Sequence, residues 1–191
     1  MKERIDNFFS NILEKPIELY SEFGFQHELA IFLRNNYNDI KVKLEYPTTK
    51  IFDENTKLIK KEIDIYIETK AGKRYVIELK MPKIDCGTPN EMYKAIQDVI
   101  FLEQLRQKKI DGCYAILITE RQAFWQSKES NVGIYKLFNG EKIHLKSVEQ
   151  KQLPNFLHSR GSLTLTKSYH ANWKNYTDIN FNKWKYYFLE V

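Results

Sequence analysis

The chain has 191 residues, of which 42% are hydrophobic and 14% aromatic, with only seven Gly and five Pro. This composition excludes disordered, collagen-like and low-complexity proteins, and it predicts a single globular domain over 1–191. The net charge is +5, and residues 151–191 contribute +4 of it through six bases and two acids. A basic segment suits a polyanionic partner, although Lys-rich surfaces also simply solvate a protein.

The two cysteines, Cys86 and Cys113, are unclustered in the sequence. Their spacing argues against a zinc site or a disulfide framework and for a reducing compartment. The first residues carry acids and lack the apolar stretch of a signal peptide. No stretch approaches the roughly 20 apolar residues that a membrane helix needs. We therefore expect a cytoplasmic protein without a membrane partner.

Hydrophobic periodicity and turn residues predict the elements in chain order. The first half is expected to contain a helix over 3–14, a helix over 22–35 with Ser21 as N-cap, a strand from Val42 to Pro47, a Lys-bearing loop over 48–61, and a hairpin of residues 62–68 and 74–81. The second half is expected to contain a helix over 90–108 with Asn90 as N-cap, a buried strand Cys113–Thr119, a second hairpin of Val132–Phe138 and Glu141–Leu145 around Asn139 and Gly140, and strands Ser162–Tyr169 and Trp184–Val191. This order predicts an α/β fold, a mixed central sheet flanked by helices over about 22–119, with a C-terminal β-rich extension over about 150–191.

The first hairpin carries the most informative polar residues. A three-residue loop of residues 70–72, with Gly72 in the left-handed conformation, places Asp64 opposite Glu78. One face of the hairpin is then apolar, and the other carries both carboxylates with Lys80 two residues further along. Like charges so close are destabilising unless a cation lies between them. A Mg²⁺ ion would fit such a site, whereas a solvated polar face with a cross-strand ion pair is the simpler alternative.

Two helical residues are further candidates. Glu28 falls between Phe25 and Phe32 on the apolar stripe of its helix, where an unpaired carboxylate is costly to bury; an ion-paired Glu at the edge of the stripe is equally compatible. Gln97, on the helix after the hairpin, could face the carboxylates, although a surface Gln on a helix is common.

These residues together make the chain resemble the PD-(D/E)xK phosphodiesterase superfamily, the restriction-endonuclease-like nucleases. The resemblance covers about 22–119: a helix with an acid, a strand, Asp64, the motif Glu78-Leu79-Lys80, a helix with Gln97, and a strand. It implies that Asp64, Glu78 and the Leu79 carbonyl bind Mg²⁺, with Glu28 as an accessory metal ligand. It also implies that Lys80 acts on the attacking water, and that Gln97 either supports the metal ligands without binding the metal itself or contacts phosphate.

The implied activity is Mg²⁺-dependent hydrolysis of phosphodiester bonds in DNA, with Mn²⁺ as a substitute and restriction or defence as a biological setting. Next to a metal and partly desolvated, Lys80 is expected to have a lowered pKa. A non-catalytic nucleic-acid- or partner-binding module that keeps the fold is the main alternative, and RNA is an alternative substrate.

The C-terminal segment interleaves bases with aromatic residues, which can bind nucleic acid through phosphate contacts and base stacking. We expect its Trp residues to pack in the core and its Lys residues to contact double-stranded DNA. Cleavage of both strands needs two sites, so a homodimer is plausible, with Phe101 as one interface residue.

Overall fold

The computed structural model describes residues 1–83, 87–126 and 133–191. The helices in these ranges are α1 (Lys2–Glu14), α2 (Glu22–Asn36) and α3 (Thr88–Gln107). The strands are β1 (Ile40–Pro47), β2 (Glu62–Thr69), β3 (Arg74–Lys80), β4 (Gly112–Thr119), β5 (Lys142–Leu145), β6 (Tyr169–Asn172), β7 (Lys174–Thr177) and β8 (Lys183–Glu190). Short 3-10 helices lie at Thr48–Lys50, Gln122–Phe124, Gly133–Leu137, Gln150–Gln152 and Asn155–Arg160.

The strands form a mixed six-stranded sheet in the order β1-β2-β3-β4-β8-β7, and β5 pairs with β6 separately. Strands β3 and β4 are parallel, and the other described pairs are antiparallel. Helix α3 connects the two parallel strands, as such a crossover requires. The α/β class with a mixed sheet is therefore confirmed. The C-terminal segment is less separate than expected, because β7 and β8 belong to the central sheet.

Both faces of the sheet are covered by apolar side chains. Helices α1 and α2 pack on one face, where Phe9 and Leu29 share a cluster with Ile65 and Ile77. Helix α3 and the segment 133–172 pack on the other face. The strands between these layers are buried on both sides, which explains why all eight residues of β4 are buried.

The hairpin β2–β3 forms in the predicted register. Ile65 pairs with Ile77 and Tyr66 with Val76, and Gly72 has φ +77° in the turn. The expectation of one polar face is wrong in part, because Tyr66 and Val76 are buried beneath α3. Only the end of the hairpin farthest from the turn keeps its charged residues together.

One of the two predicted helix N-caps is confirmed, and the other is wrong. Ser21 caps α2 by accepting a hydrogen bond from the Gly24 backbone N–H at 2.9 Å, as predicted. Asn90 does not cap α3, because the helix already begins at Thr88 and Gly87 is the N-cap. Pro89 suits the first turn of the helix, where its missing N–H is not needed.

The predicted second hairpin is wrong. Residues Gly133–Leu137 form a 3-10 helix, and β5 pairs with β6 instead of with the segment before it; Val132 lies outside the described residues. The predicted strand Ser162–Tyr169 is also wrong, since it contributes one isolated bridge, between Leu163 and Val148, and β6 begins only at Tyr169.

Helix α3 is more deeply buried than its sequence suggested. Phe101 is 0% exposed within the α3 cluster, so it cannot serve as an interface residue. Glu103 is also buried and accepts hydrogen bonds from the Thr166 backbone N–H, the Thr166 hydroxyl and the Tyr169 hydroxyl. This carboxylate ties the segment that contains β6 to the helix.

Cys113 is buried, as predicted, while Cys86 lies outside the described residues. None of the helices in the described ranges combines the length and the apolar character needed to cross a membrane.

Candidate functional site

Asp64 and Glu78 meet just beyond the paired part of the hairpin. Asp64 Oδ2 accepts a hydrogen bond from the Leu79 backbone N–H at 2.7 Å, and Glu78 Oε1 accepts a longer one, 3.4 Å, from the Asp64 backbone N–H. Each carboxylate therefore has one oxygen fixed by the opposite strand. The structure brings together the two acids that the sequence predicted to be neighbours.

The other oxygens of these carboxylates face Lys60, a residue that the sequence analysis did not single out. Its Nζ contacts Glu78 Oε2 directly and lies 3.8 Å from Asp64 Oδ1. Burial lowers the pKa of Lys60, but the surrounding carboxylates, with Glu78 foremost, raise it above its usual value. Lys60 is therefore an ammonium ion held inside an acidic cluster.

Helix α3 supplies a third carboxylate to this cluster. Asp98 is 5% exposed, and its Oδ1 accepts a hydrogen bond from Lys60 Nζ at 3.0 Å. Its Oδ2 lies 3.4 Å from Lys80 Nζ and has no hydrogen-bond partner among the described residues. Burial raises the pKa of Asp98 and, together with the charge of Asp64, that of Glu78. The cluster holds carboxylates where burial disfavours their ionised form.

Lys80 lies on the opposite side of Asp98 from Lys60. Its Nζ donates to the Leu79 carbonyl at 3.0 Å and to Glu22 Oε1 at 3.2 Å. Asp98 and Glu22 raise the pKa of Lys80 by more than burial lowers it, and the lowered pKa expected for Lys80 beside a metal ion stays a prediction. Lys80 is therefore placed to act as a charged hydrogen-bond donor.

Helix α2 contributes different residues from the one predicted. Glu22 reaches Lys80, and its second oxygen accepts from the Met81 backbone N–H at 2.8 Å. Gln26, one turn later, donates to Glu45 Oε1 at 2.8 Å and contacts the Asp64 carbonyl. Glu28 instead lines a groove toward α1. Successive helical residues are rotated by 100°, so Glu28 lies about 200° around the helix from Gln26, and the structure does not bring it to the cluster.

Gln97 lies at the open side of the cluster, close to where the sequence placed it. It lines a cavity of about 250 Å³ together with Lys60, Lys80, Lys94 and Asp98. Three lysines and an amide around one opening form a suitable environment for an anion such as a phosphate.

The donor set suits a hard divalent cation, because Asp64, Glu78 and Asp98 all present carboxylate oxygens to one point. In the described parts of the chain, no three His, Cys, Asp or Glu side chains are already spaced to hold a metal ion. Instead, Lys60 Nζ lies among these oxygens, 3.0 Å from Asp98 Oδ1 and 3.8 Å from Asp64 Oδ1, which are longer distances than the roughly 2.1 Å at which Mg²⁺ binds oxygen.

The Trp residues of the C-terminal segment pack against the core, as expected, whereas Phe156 and Phe181 of the same segment are exposed. Trp184 is buried, and Trp173 packs partly buried against the α3 cluster. Lys185 Nζ lies 5.6 Å from the centre of the Trp125 ring, and both residues line a groove with Lys183. Neighbouring strands are roughly 4.8 Å apart, so β8 places Lys185 about 10 Å from β3. This groove therefore lies at the same end of the sheet as Lys80.

Sequence reasoning missed Lys60, Glu22 and Asp98. Asp98 left a signal, since it lies on the apolar face of α3 between Ala95 and Leu102, where a lone carboxylate needs a partner. Glu22 and Lys60 left none, because their positions depend on how α2 and the loop before β2 pack against the sheet.

Comparison of the chain with protein-family models, with curated proteins and with solved structures finds no match. The function is therefore argued from the cluster itself.

Proposed function

We propose that this protein is a Mg²⁺-dependent nuclease of the PD-(D/E)xK kind, with a restriction-endonuclease-like core, that hydrolyses phosphodiester bonds in DNA. The observation that carries the proposal is the convergence of Asp64, Glu78 and Asp98 on one cation position beside Lys80. An isolated surface ion pair needs no such arrangement. Burying three carboxylates that share one cation destabilises a fold. A functional role for the cation position explains why the arrangement is present.

Asp64, Glu78 and Asp98 are the residues that would hold the ion, with the Leu79 carbonyl beside them. When bound, Mg²⁺ acidifies a water molecule and stabilises the charge that develops on the phosphate. The backbone hydrogen bonds to Asp64 and Glu78 fix one oxygen of each carboxylate, so the ligand oxygens are held in place before substrate binds.

In the metal-free protein the surrounding carboxylates raise the pKa of Lys80, and its Nζ donates hydrogen bonds to the Leu79 carbonyl and to Glu22, an arrangement that fits a hydrogen-bond donor. Its ammonium group can orient the attacking water or neutralise a phosphate oxygen in the adjoining cavity. Gln97 and Lys94 line the same cavity and can bind the phosphates on either side of the scissile bond. Lys183 and Lys185 extend this positive charge along the same end of the sheet, in the direction that a nucleic-acid strand would follow.

The test is calorimetric titration with Mn²⁺ or Mg²⁺, run beside nicking of plasmid DNA, for the wild type and Asp64→Asn. We expect binding and nicking by the wild type and the loss of both in the variant. A single-stranded RNA is tested in parallel as the alternative substrate. If no cleavage occurs with metal bound, the nuclease proposal is wrong.

The second candidate is a nucleic-acid-binding module without catalysis. The observation that favours it is the Lys60 ammonium, which already lies among the carboxylates as their cation. A protein of this kind would retard DNA in a gel without cleaving it, and Asp64→Asn would not change its affinity.

A homodimer with two sites is the form expected of an enzyme that cuts both strands, and sedimentation of the free and DNA-bound protein would measure its oligomeric state.

A further inference from the structure

Lys60 occupies the position that a divalent cation would need. Its Nζ is the only described group that contacts all three carboxylates Asp64, Glu78 and Asp98. An ammonium and a metal ion cannot share that position, because both are cations and both need the same oxygens. Metal binding must therefore move the Lys60 side chain.

The backbone of Lys60 is held on both sides, so the movement is confined to its side chain. The Ile59 backbone N–H donates to Gln104 Oε1 at 3.0 Å, and the Lys61 carbonyl accepts from the Thr48 backbone N–H at 2.8 Å. The side chain between these anchors is 27% exposed. A lysine side chain with four rotatable bonds can reach a new position without any change in the fold.

The structure also provides places for the displaced ammonium group. Lys60 lines the cavity with Gln97 and, on its other side, a second cavity of about 340 Å³. The second cavity is also lined by two carboxylates, Asp53 and Glu54, which a displaced ammonium ion would share with Lys57 and Lys61. The side chain can therefore leave the cluster without losing all its ionic partners.

Charge balance favours the exchange. Glu22, Asp64, Glu78 and Asp98 face the two ammonium groups of Lys60 and Lys80, which leaves unpaired negative charge when all four acids are ionised. Replacing one monovalent cation by a divalent one reduces that excess. Oxygen ligands also suit a hard metal ion better than they suit an ammonium ion.

We propose that Lys60 is a built-in competitor for the metal, which fills the carboxylate cluster in the free protein and swings out when a divalent cation binds. This inference rests on the proposed metal site and adds a residue that sets how tightly the ion is held. Lys60 acts here through Asp64, Glu78 and Asp98, so it is a positioning residue and not a catalytic one.

The first test compares Mn²⁺ binding by calorimetry in the wild type, Lys60→Met and Lys61→Met. Methionine keeps an unbranched side chain that is one atom shorter and removes its charge. Lys61 is the matched control, because it is the next residue, carries the same charge and is exposed. We expect Lys60→Met to bind Mn²⁺ at least about tenfold more tightly, roughly 1.4 kcal/mol, and Lys61→Met to bind as the wild type does.

A second measurement uses the wild type alone and does not depend on the folding of a variant. Amine acetylation followed by peptide mass spectrometry reports how accessible each lysine is. With Mn²⁺ present, the modification rate of Lys60 should rise severalfold, while that of Lys61 stays constant. Asp64→Asn should abolish the Mn²⁺ dependence. Equal Lys60 rates with and without Mn²⁺ in a wild type that binds the ion would overturn the inference.

The outcomes separate this inference from the proposed function. Tighter binding by Lys60→Met without DNA cleavage by any variant supports the competition and overturns the nuclease. Equal or weaker binding by Lys60→Met refutes the competition and leaves the metal site and the nuclease standing. If no variant binds Mn²⁺ even with DNA present, the metal site is absent and both proposals fall.

Discussion

Removing the charge of Lys60 should make the stability of the metal-free protein strongly dependent on pH. In Lys60→Met, the side chains of Glu78 and Asp98 keep their burial but lose the nearest ammonium ion. Breaking a buried ion pair by removing one partner costs about 3–5 kcal/mol when the remaining group stays charged. Protonation of the remaining carboxylate avoids that cost, so the loss should depend on pH.

The sign follows from the direction of the pKa shifts. The pKa of Glu78 is already raised by burial in the wild type, although Lys60 opposes the rise. Without Lys60 it should rise further, so the folded variant binds a proton that the unfolded chain releases above about pH 4.3. Stability is then highest at low pH and falls as the pH increases toward the folded-state pKa.

The size of the pH effect on stability follows from the one proton that Glu78 binds in the folded variant. A difference of one bound proton changes the unfolding free energy by about 1.4 kcal/mol per pH unit. Between pH 5 and pH 8 the unfolding free energy of the variant should therefore fall by up to about 4 kcal/mol, and that of the wild type by less, because Lys60 opposes the rise of the Glu78 pKa. Near pH 5 the difference should be only about 1 kcal/mol, because the carboxyl group needs little added free energy to stay protonated there.

The assay is urea unfolding at both pH values in the presence of EDTA, with Lys61→Met as the control. The Lys61→Met substitution removes the same charge from an exposed position, so its effect on the unfolding free energy should be small at either pH. A stability difference for Lys60→Met that is the same at pH 5 and pH 8 would show that Lys60 does not hold the buried carboxylates in their ionised form.

Three further predictions concern other parts of the structure. Asp64→Asn should abolish Mn²⁺ binding, whereas Glu28→Gln should leave the affinity within about twofold, since Glu28 faces α1; calorimetry separates them, and equal losses would restore Glu28 as a ligand. Glu103→Ala should cost about 3–5 kcal/mol, because it removes three hydrogen bonds to a charged acceptor and leaves the buried Tyr169 hydroxyl unpaired, and Tyr169→Phe only about 1 kcal/mol; comparable losses in urea unfolding would contradict this view of the Glu103 cluster. Gly72→Ala should cost about 1 kcal/mol, because φ is +77° at this position. The space around Gly72 is open, so the added methyl group causes no clash, and an unchanged unfolding midpoint would refute the backbone strain.

The local features of the fold were predictable because they depend on neighbouring residues. Ser21 caps α2 with its own side chain, and Gly72 closes a tight turn that fixes the register of β2 and β3. The register in turn brings Asp64 and Glu78 together. Each of these outcomes follows from a short stretch of sequence.

The failures have two physical causes. The Asn139-Gly140 pair resembles a hairpin turn, but Ile134, Leu137 and Phe138 are buried at helical spacing, and that spacing was the better signal. In contrast, no local pattern brings Lys60 to the carboxylates. That contact depends on a loop folding back against the end of a hairpin and the side of α3, which only the assembled tertiary structure determines.

The position of β8 has a consequence for how the protein forms during synthesis. Strand β8 lies between β4 and β7, and Thr119 pairs with Lys185 far along the chain. Until Lys183–Glu190 leave the ribosome, the backbone groups along one edge of β4 are unpaired and available to other chains. The strand beside the candidate site is thus completed by a segment that is far from it in the sequence. A nascent chain in which β8 has not yet paired with β4 should therefore be prone to aggregation.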